Sequence, residues 1–177
     1  QTPSHHSVLG IGGTACRYNG KMYVGGAGCL YSWDGTSWTA IDTISSVSCL
    51  YPYQGKLLIG GSIEDHPHSI DHILVEWDGT TRQPFRGIDS VATSQGVYAI
   101  TEYKSDLIVA GNIIPLTVTG ASDLSDIMRW TGTAWTPLGH GLGGRNGIAE
   151  VSSMAVIGNE LFFGGIFDEA RGNVGMG

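Results

Sequence analysis

The chain has 177 residues with 28 glycines, 41% hydrophobic residues and only 14% charged residues, a composition that predicts short strands and tight turns instead of helices. Its formal net charge is −7 and its 9 basic residues are scattered along the chain, which argues against nucleic acid as a partner. No apolar run approaches the roughly 18 residues of a membrane-spanning helix, so we expect no membrane span.

A motif of two strands joined by a polar turn recurs along the chain. Its copies are YNGKMYVGG (18–26), YQGKLLIGG (53–61), YKSDLIVAG (103–111) and IGNELFFGG (157–165). An apolar run before each turn predicts a strand A, and the residues after it predict a strand B that ends in small residues. The alignment places four apolar residues at equivalent positions of the B strands: Val24, Ile59, Val109 and Phe163.

A tryptophan hairpin follows each of the first three copies. Its sequences are YSWDGTSWTAI (31–41), VEWDGTTRQPF (75–85) and MRWTGTAWTPL (128–138). Each predicts a strand C, a turn in which Asp or Thr precedes glycine, and a strand D. In the second hairpin, Arg82 stands where the other two have a second tryptophan. We expect the tryptophans that end the C strands to be buried packing residues and not ligand platforms: Trp33, Trp77 and Trp130.

Each complete unit therefore holds four short strands, and one such sheet cannot bury both of its faces alone. Repetition around an axis gives a β-propeller, in which the glycine pairs allow inner strands to approach closely. The pattern LyvGG…WDGTSWtpL resembles the kelch-like repeats of large secreted bacterial surface proteins. The resemblance implies an all-β propeller of four-stranded antiparallel blades, three complete and one partial, in a single complete or partial domain (1–177) with blades at about 8–41, 42–85, 86–139 and 140–177.

Members of this family are mostly extracellular adhesion, scaffold or ligand-binding modules. The resemblance thus implies a non-catalytic secreted or cell-surface module for adhesion, scaffolding or filament assembly. The copper site of Tyr, His and Cys in the oxidase relatives has no positional match here, so we expect no catalytic residue and no cofactor. The alternative is a carbohydrate-binding, lectin-like propeller that uses exposed tyrosines (Tyr31, Tyr51 and Tyr98), and a propeller-based enzyme is a third hypothesis.

The fourth unit lacks the tryptophan hairpin, so the outer edge of its strand B (161–165) has no predicted partner. Three explanations compete: a piece of a longer propeller, a ring closed by the N-terminal residues 7–11, or a blade completed by a strand from another chain. Because an unpaired edge is a template for association, we favour a partner from outside these 177 residues. The expected partners are other protein chains, including further copies of this one, with glycans as a second class.

The connection between strands B and C is long in the second unit and carries the chain's densest group of ionisable residues: Glu64, Asp65, His66, His68, Asp71 and His72. Long loops on a rigid frame often hold ligand sites. Its three histidines are candidate ligands of a divalent transition metal. Their spacing matches no established motif, however, and Pro67 stiffens the segment, so we expect a solvated polar loop without a metal.

The remaining candidates are isolated. Cys16, Cys29 and Cys49 show neither an even disulfide framework nor CxxC spacing, and we expect small buried residues, with a single disulfide left open. Asp123 and Asp126 precede strand C of the third unit, where we expect solvated or strand-leading carboxylates.

Overall fold

The computed structural model describes residues 12–63, 72–86, 88, 96–113, 126–139, 142–143 and 149–170. Within these ranges every regular element is a β-strand, which confirms the all-β prediction. The same ranges contain no helix of the length and apolar character needed to cross a membrane.

Three sheets each contain four consecutive antiparallel strands. Sheet 1 comprises β1 (Gly12–Tyr18), β2 (Lys21–Gly26), β3 (Leu30–Trp33) and β4 (Trp38–Asp42). Sheet 2 comprises β5 (Ser46–Tyr53), β6 (Lys56–Ile63), β7 (His72–Trp77) and β8 (Arg82–Pro84). Sheet 3 comprises β9 (Gly96–Tyr103), β10 (Asp106–Asn112), β11 (Ile127–Trp130) and β12 (Trp135–Pro137). The strands of each sheet follow the order A, B, C and D of the repeat.

The fourth sheet has two strands in the described residues, β14 (Glu150–Ile157) and β15 (Glu160–Ile166). A separate short pair joins β13 (Leu142–Gly143) to β16 (Glu169–Ala170). The sheets thus contain four, four, four and two repeat strands, as the repeat predicts, and the described residues place no strand beside the outer edge of β15.

The register of the A–B pairs is the same in all four sheets. The predicted equivalent residues each face the matching strand-A residue: Val24 opposite Ala15, Ile59 opposite Leu50, Val109 opposite Ile100, and Phe163 opposite Met154. A register shift also recurs near the start of each strand A. Since a one-residue slip would turn every side chain to the opposite face, the shared register makes the four units equivalent in packing.

The turns of the hairpins follow from their residue types. In the first A–B turn Asn19 and Gly20 have φ of 45° and 78°, the left-handed pair that a two-residue turn requires. In the first C–D turn the Asp34 carboxylate accepts hydrogen bonds from the N–H groups of Thr36 (2.8 Å) and Ser37 (2.9 Å). These bonds lower the pKa of Asp34, and Asp78 repeats the arrangement. Turn geometry therefore accounts for both aspartates, as expected.

Three apolar clusters fill the spaces between consecutive sheets. We name the face of a sheet that points to the preceding sheet its N-side face, and the opposite one its C-side face. Trp77 and Trp130, 8% and 9% exposed, lie on the N-side faces of sheets 2 and 3 and are buried as predicted. Trp33 is only half-buried, so the prediction is wrong for this residue. Its indole lies on the N-side face of sheet 1, where no preceding sheet covers it in the described residues.

Close approach of the inner strands depends on the small residues that end strand B. A Cβ atom at Gly25 would lie 2.3 Å from Val47 of the next sheet. At Gly60 it would lie 2.5 Å from Cys49 and 2.9 Å from Val97. Since real Cβ atoms do not come this close, glycine at these positions is what lets β5 and β9 pack on the sheets before them, as the sequence predicts.

Candidate functional site

Most of the predicted metal-binding loop, residues 64–71, lies outside the described residues. His72 is the first residue of β7, where it pairs with Ile63 of β6 and is half-buried. Among the residues that the structure describes, no three His, Cys, Asp or Glu side chains come close enough together to hold a metal ion. The absence of a metal in this loop stays a prediction.

The three candidate tyrosines are all half-buried and lie on three different sheets, so the structure does not bring them together. Tyr31 is in β3, and Tyr51 in β5 donates a hydrogen bond of 3.3 Å to the Glu102 carboxylate of sheet 3. Tyr98 is in β9, where burial and the nearby charge of Glu150 raise the pKa of its hydroxyl. They do not form one aromatic platform for a ligand.

The three cysteines are free thiols. Cys49 is buried between sheets 2 and 3, and its thiol donates to the Val97 carbonyl oxygen at 3.4 Å. Burial raises the pKa of Cys49, and it raises that of Cys16 to about 11. Both thiols therefore stay protonated near neutral pH and are poor nucleophiles, in agreement with the expected packing role.

Asp126 corrects the expectation of a solvated carboxylate, although it does lead directly into β11. The residue is only 3% exposed, and one carboxyl oxygen, Oδ2, has no hydrogen-bond partner. Burial raises the pKa of the Asp126 carboxyl to about 7, against the opposing effect of backbone N–H groups of Asp126 and Ile113. This carboxyl is therefore largely neutral below pH 7. Asp123 lies outside the described residues.

A cavity of about 320 Å³ lies between sheets 1 and 2, next to the hairpin that carries Arg82 in place of tryptophan. Arg82 Nη1 lies 2.9 Å from Oδ2 of Asp42 at the end of β4, and both side chains are largely buried. Trp77 and Ile41 contribute apolar wall, and Gln83 adds an amide. The sequence offered one signal, the arginine at a tryptophan position, but not its partner.

Sheet 4 presents an apolar surface on its C-side, which we name the open face. It consists of Ile157, Phe162 and Ile166, which are 64%, 49% and 68% exposed. In the three preceding sheets, the residues at the Phe162 position are buried against the following sheet: Tyr23, Leu58 and Ile108.

The Ile157 position is also different in sheet 4. In sheets 1 and 3 it is a tyrosine whose hydroxyl donates to a turn carbonyl of the next sheet, Tyr18 to Gly55 at 2.8 Å and Tyr103 to Asn159 at 2.9 Å. Isoleucine at 157 has no hydroxyl and is well exposed. The open face thus has the position, but not the polar contact, of an interface between sheets.

No model of a known protein family and no curated protein matches the chain. The open face and the Arg82 cavity are therefore the features of the described residues on which a function can be argued.

Proposed function

We propose that the four sheets are blades of a β-propeller of the kelch-like type, and that the chain is a non-catalytic secreted or cell-surface module for adhesion, scaffolding or filament assembly. The contacts of the inner strands support the blade arrangement. Strand β5 packs on β1 and β2, β9 packs on β5 and β6, and β14 packs on β9 and β10. Successive inner strands around the axis of a propeller meet in this order. The likeness of the repeat to bacterial surface proteins supports the extracellular location.

The open face is the observation that carries the proposed role in assembly. Its three large apolar residues are 49–68% exposed, whereas the corresponding C-side faces of the other sheets are covered. Contiguous exposed apolar surface of this kind marks interaction sites in soluble proteins. The outer edge of β15 borders the same surface and offers backbone N–H and C=O groups to a partner strand.

The occupant that fits the open face is the N-side face of sheet 1 in a second copy of the chain. Every interface between sheets in the structure joins a C-side face to an N-side face. The N-side face of sheet 1 carries the half-buried Trp33 and Trp38 with Met22, which is 39% exposed. These residues occupy the positions of Trp77, Arg82 and Leu57 in sheet 2. Such a head-to-tail contact uses two different surfaces, so it builds rings or filaments.

Sedimentation velocity over concentrations on the order of 1 to 100 μM tests this association. Phe162→Asp on one face and Met22→Asp on the other should each prevent assembly. When the two variants are mixed, one intact surface of each remains, and one-to-one dimers should form. Val156→Asp changes a 39% exposed residue outside both surfaces and serves as the matched control.

A wild-type chain that stays monomeric over the whole range, or a mixture that forms no dimer, would contradict head-to-tail association. Removal of residues 1–10 separates the remaining explanation. If that deletion unfolds a wild-type monomer, the blade is closed within the chain instead.

A further inference from the structure

The cavity beside Arg82 occurs where the repeat departs from its own pattern. Between sheets 2 and 3 the equivalent space is filled, because Trp135 packs on Phe85 with ring centroids 5.9 Å apart and donates from its indole N–H to the Arg86 carbonyl oxygen at 2.7 Å. Between sheets 1 and 2, Arg82 replaces this tryptophan and Ile41 replaces the phenylalanine. The exchange of two aromatic rings for an arginine and a smaller side chain leaves an opening of about 320 Å³.

The polar groups of the cavity come in a donor and acceptor pair. Arg82 Nη1 and Asp42 Oδ2 are 2.9 Å apart, and the two side chains are 16% and 28% exposed. The guanidinium only donates hydrogen bonds and the carboxylate only accepts them, while the Gln83 amide does both. Ile41 and Trp77 supply apolar wall beside these groups.

We propose that this cavity binds one ring of a saccharide. Neighbouring hydroxyls of a sugar both donate and accept, so they can bond to the arginine and the carboxylate at the same time. The C–H groups of the ring can pack on the apolar wall. Since Arg82 and Asp42 together carry no net charge, the cavity has no excess charge to favour an ionic ligand. Its volume falls at the lower end of the roughly 300–1,000 Å³ of small-molecule sites, which limits the ligand to one ring.

The site lies between sheets 1 and 2 and shares no residue with the open face of sheet 4, so it goes beyond the proposed role in assembly. A saccharide bound here would add recognition of a glycan to a surface-displayed module.

Saturation-transfer NMR with glucose, galactose, mannose, fucose and N-acetylglucosamine tests the proposal. At least one of these sugars should bind with a dissociation constant on the order of 1 mM and shift the indole N–H signal of Trp77. Arg82→Trp restores the tryptophan that the third unit carries and should fill the cavity, with at least a tenfold loss of affinity. Arg129→Gln removes an arginine of a different ion pair, 3.5 Å from Asp106, and should leave binding unchanged.

Asp42→Asn provides a second variant of nearly the same shape in case Arg82→Trp does not fold. It removes the charged acceptor, and we expect at least a fivefold loss of affinity. The proposal is overturned if none of the five sugars binds. It is also overturned if binding survives in the folded Arg82→Trp or Asp42→Asn protein, because the sugar then occupies another site.

Discussion

Replacement of Trp130 by alanine should cost far more stability than the same change at Trp33. The two rings have the same partner within their hairpins. Trp130 lies 5.3 Å from Trp135 at an interplanar angle of 48°, and Trp33 lies 5.3 Å from Trp38 at 43°. Only Trp130 is covered by a preceding sheet, where Phe85 contacts it edge-on at 5.7 Å. The comparison therefore isolates the contribution of the interface between sheets.

The expected magnitude follows from the buried area. Trp130 is 9% exposed. Burial of an aromatic side chain removes roughly 150–250 Å² from water, worth about 4–6 kcal/mol at roughly 25 cal/mol per Å². Large-to-small changes of such residues cost about 3–5 kcal/mol, which we expect for Trp130→Ala. Trp33 keeps part of its surface in water, and we expect about 1–2 kcal/mol for Trp33→Ala.

Urea unfolding followed by circular dichroism measures both changes, at protein concentrations low enough to keep the chain monomeric. The difference between the two variants should be at least about 1.5 kcal/mol. Equal losses would refute the reasoning, because they would show that the sheet preceding Trp130 contributes nothing to its burial, or that Trp33 is covered as well.

Three further predictions concern single positions. Gly60→Ala should destabilise the protein by about 1–3 kcal/mol, measured by urea unfolding, since its Cβ would overlap Cys49, whereas Gly164→Ala, with 3.4 Å to its nearest neighbour, should cost under about 1 kcal/mol. Tyr103→Phe removes a 2.9 Å hydrogen bond to sheet 4 and should cost about 1 kcal/mol in the same assay. The Asp126 carboxyl binds its proton more tightly when folded, with a pKa raised from 3.8 to about 7, so its contribution to stability should fall by about 2–3 kcal/mol between about pH 5 and about pH 8, a fall that urea midpoints at the two pH values should not show for Asp126→Asn.

The elements of each sheet could be predicted because they depend on residues close in the chain. Polar turns such as Asn19-Gly20, the alternation of apolar residues and the repeated tryptophans all act within one unit of the repeat. Their positions agree with the observed strands: β3, β7 and β11 end at Trp33, Trp77 and Trp130. The relation between one unit and the next is not written in this local pattern.

What the sequence did not predict depends on that relation between units. Trp33 and Trp130 occupy the same position of the repeat, but burial requires a neighbouring sheet, and only Trp130 has one in the described residues. Asp126 resembles a solvated aspartate until the fold encloses it near Ile113. The cavity required Asp42 of one unit to meet Arg82 of the next, and no spacing motif joins these residues.

The succession of interfaces between sheets has a consequence for how the molecule unfolds. Sheets 2 and 3 are each stabilised through both faces, whereas sheets 1 and 4 are covered on one face in the described residues. In an array whose main contacts join neighbours, stability is a sum of local terms and opening begins at the ends. Sheet 4, with only β14 and β15, has the fewest strands to lose. Amide hydrogen exchange should therefore be fastest there and slowest in β6 and β10, so that the chain frays inward from its last sheet.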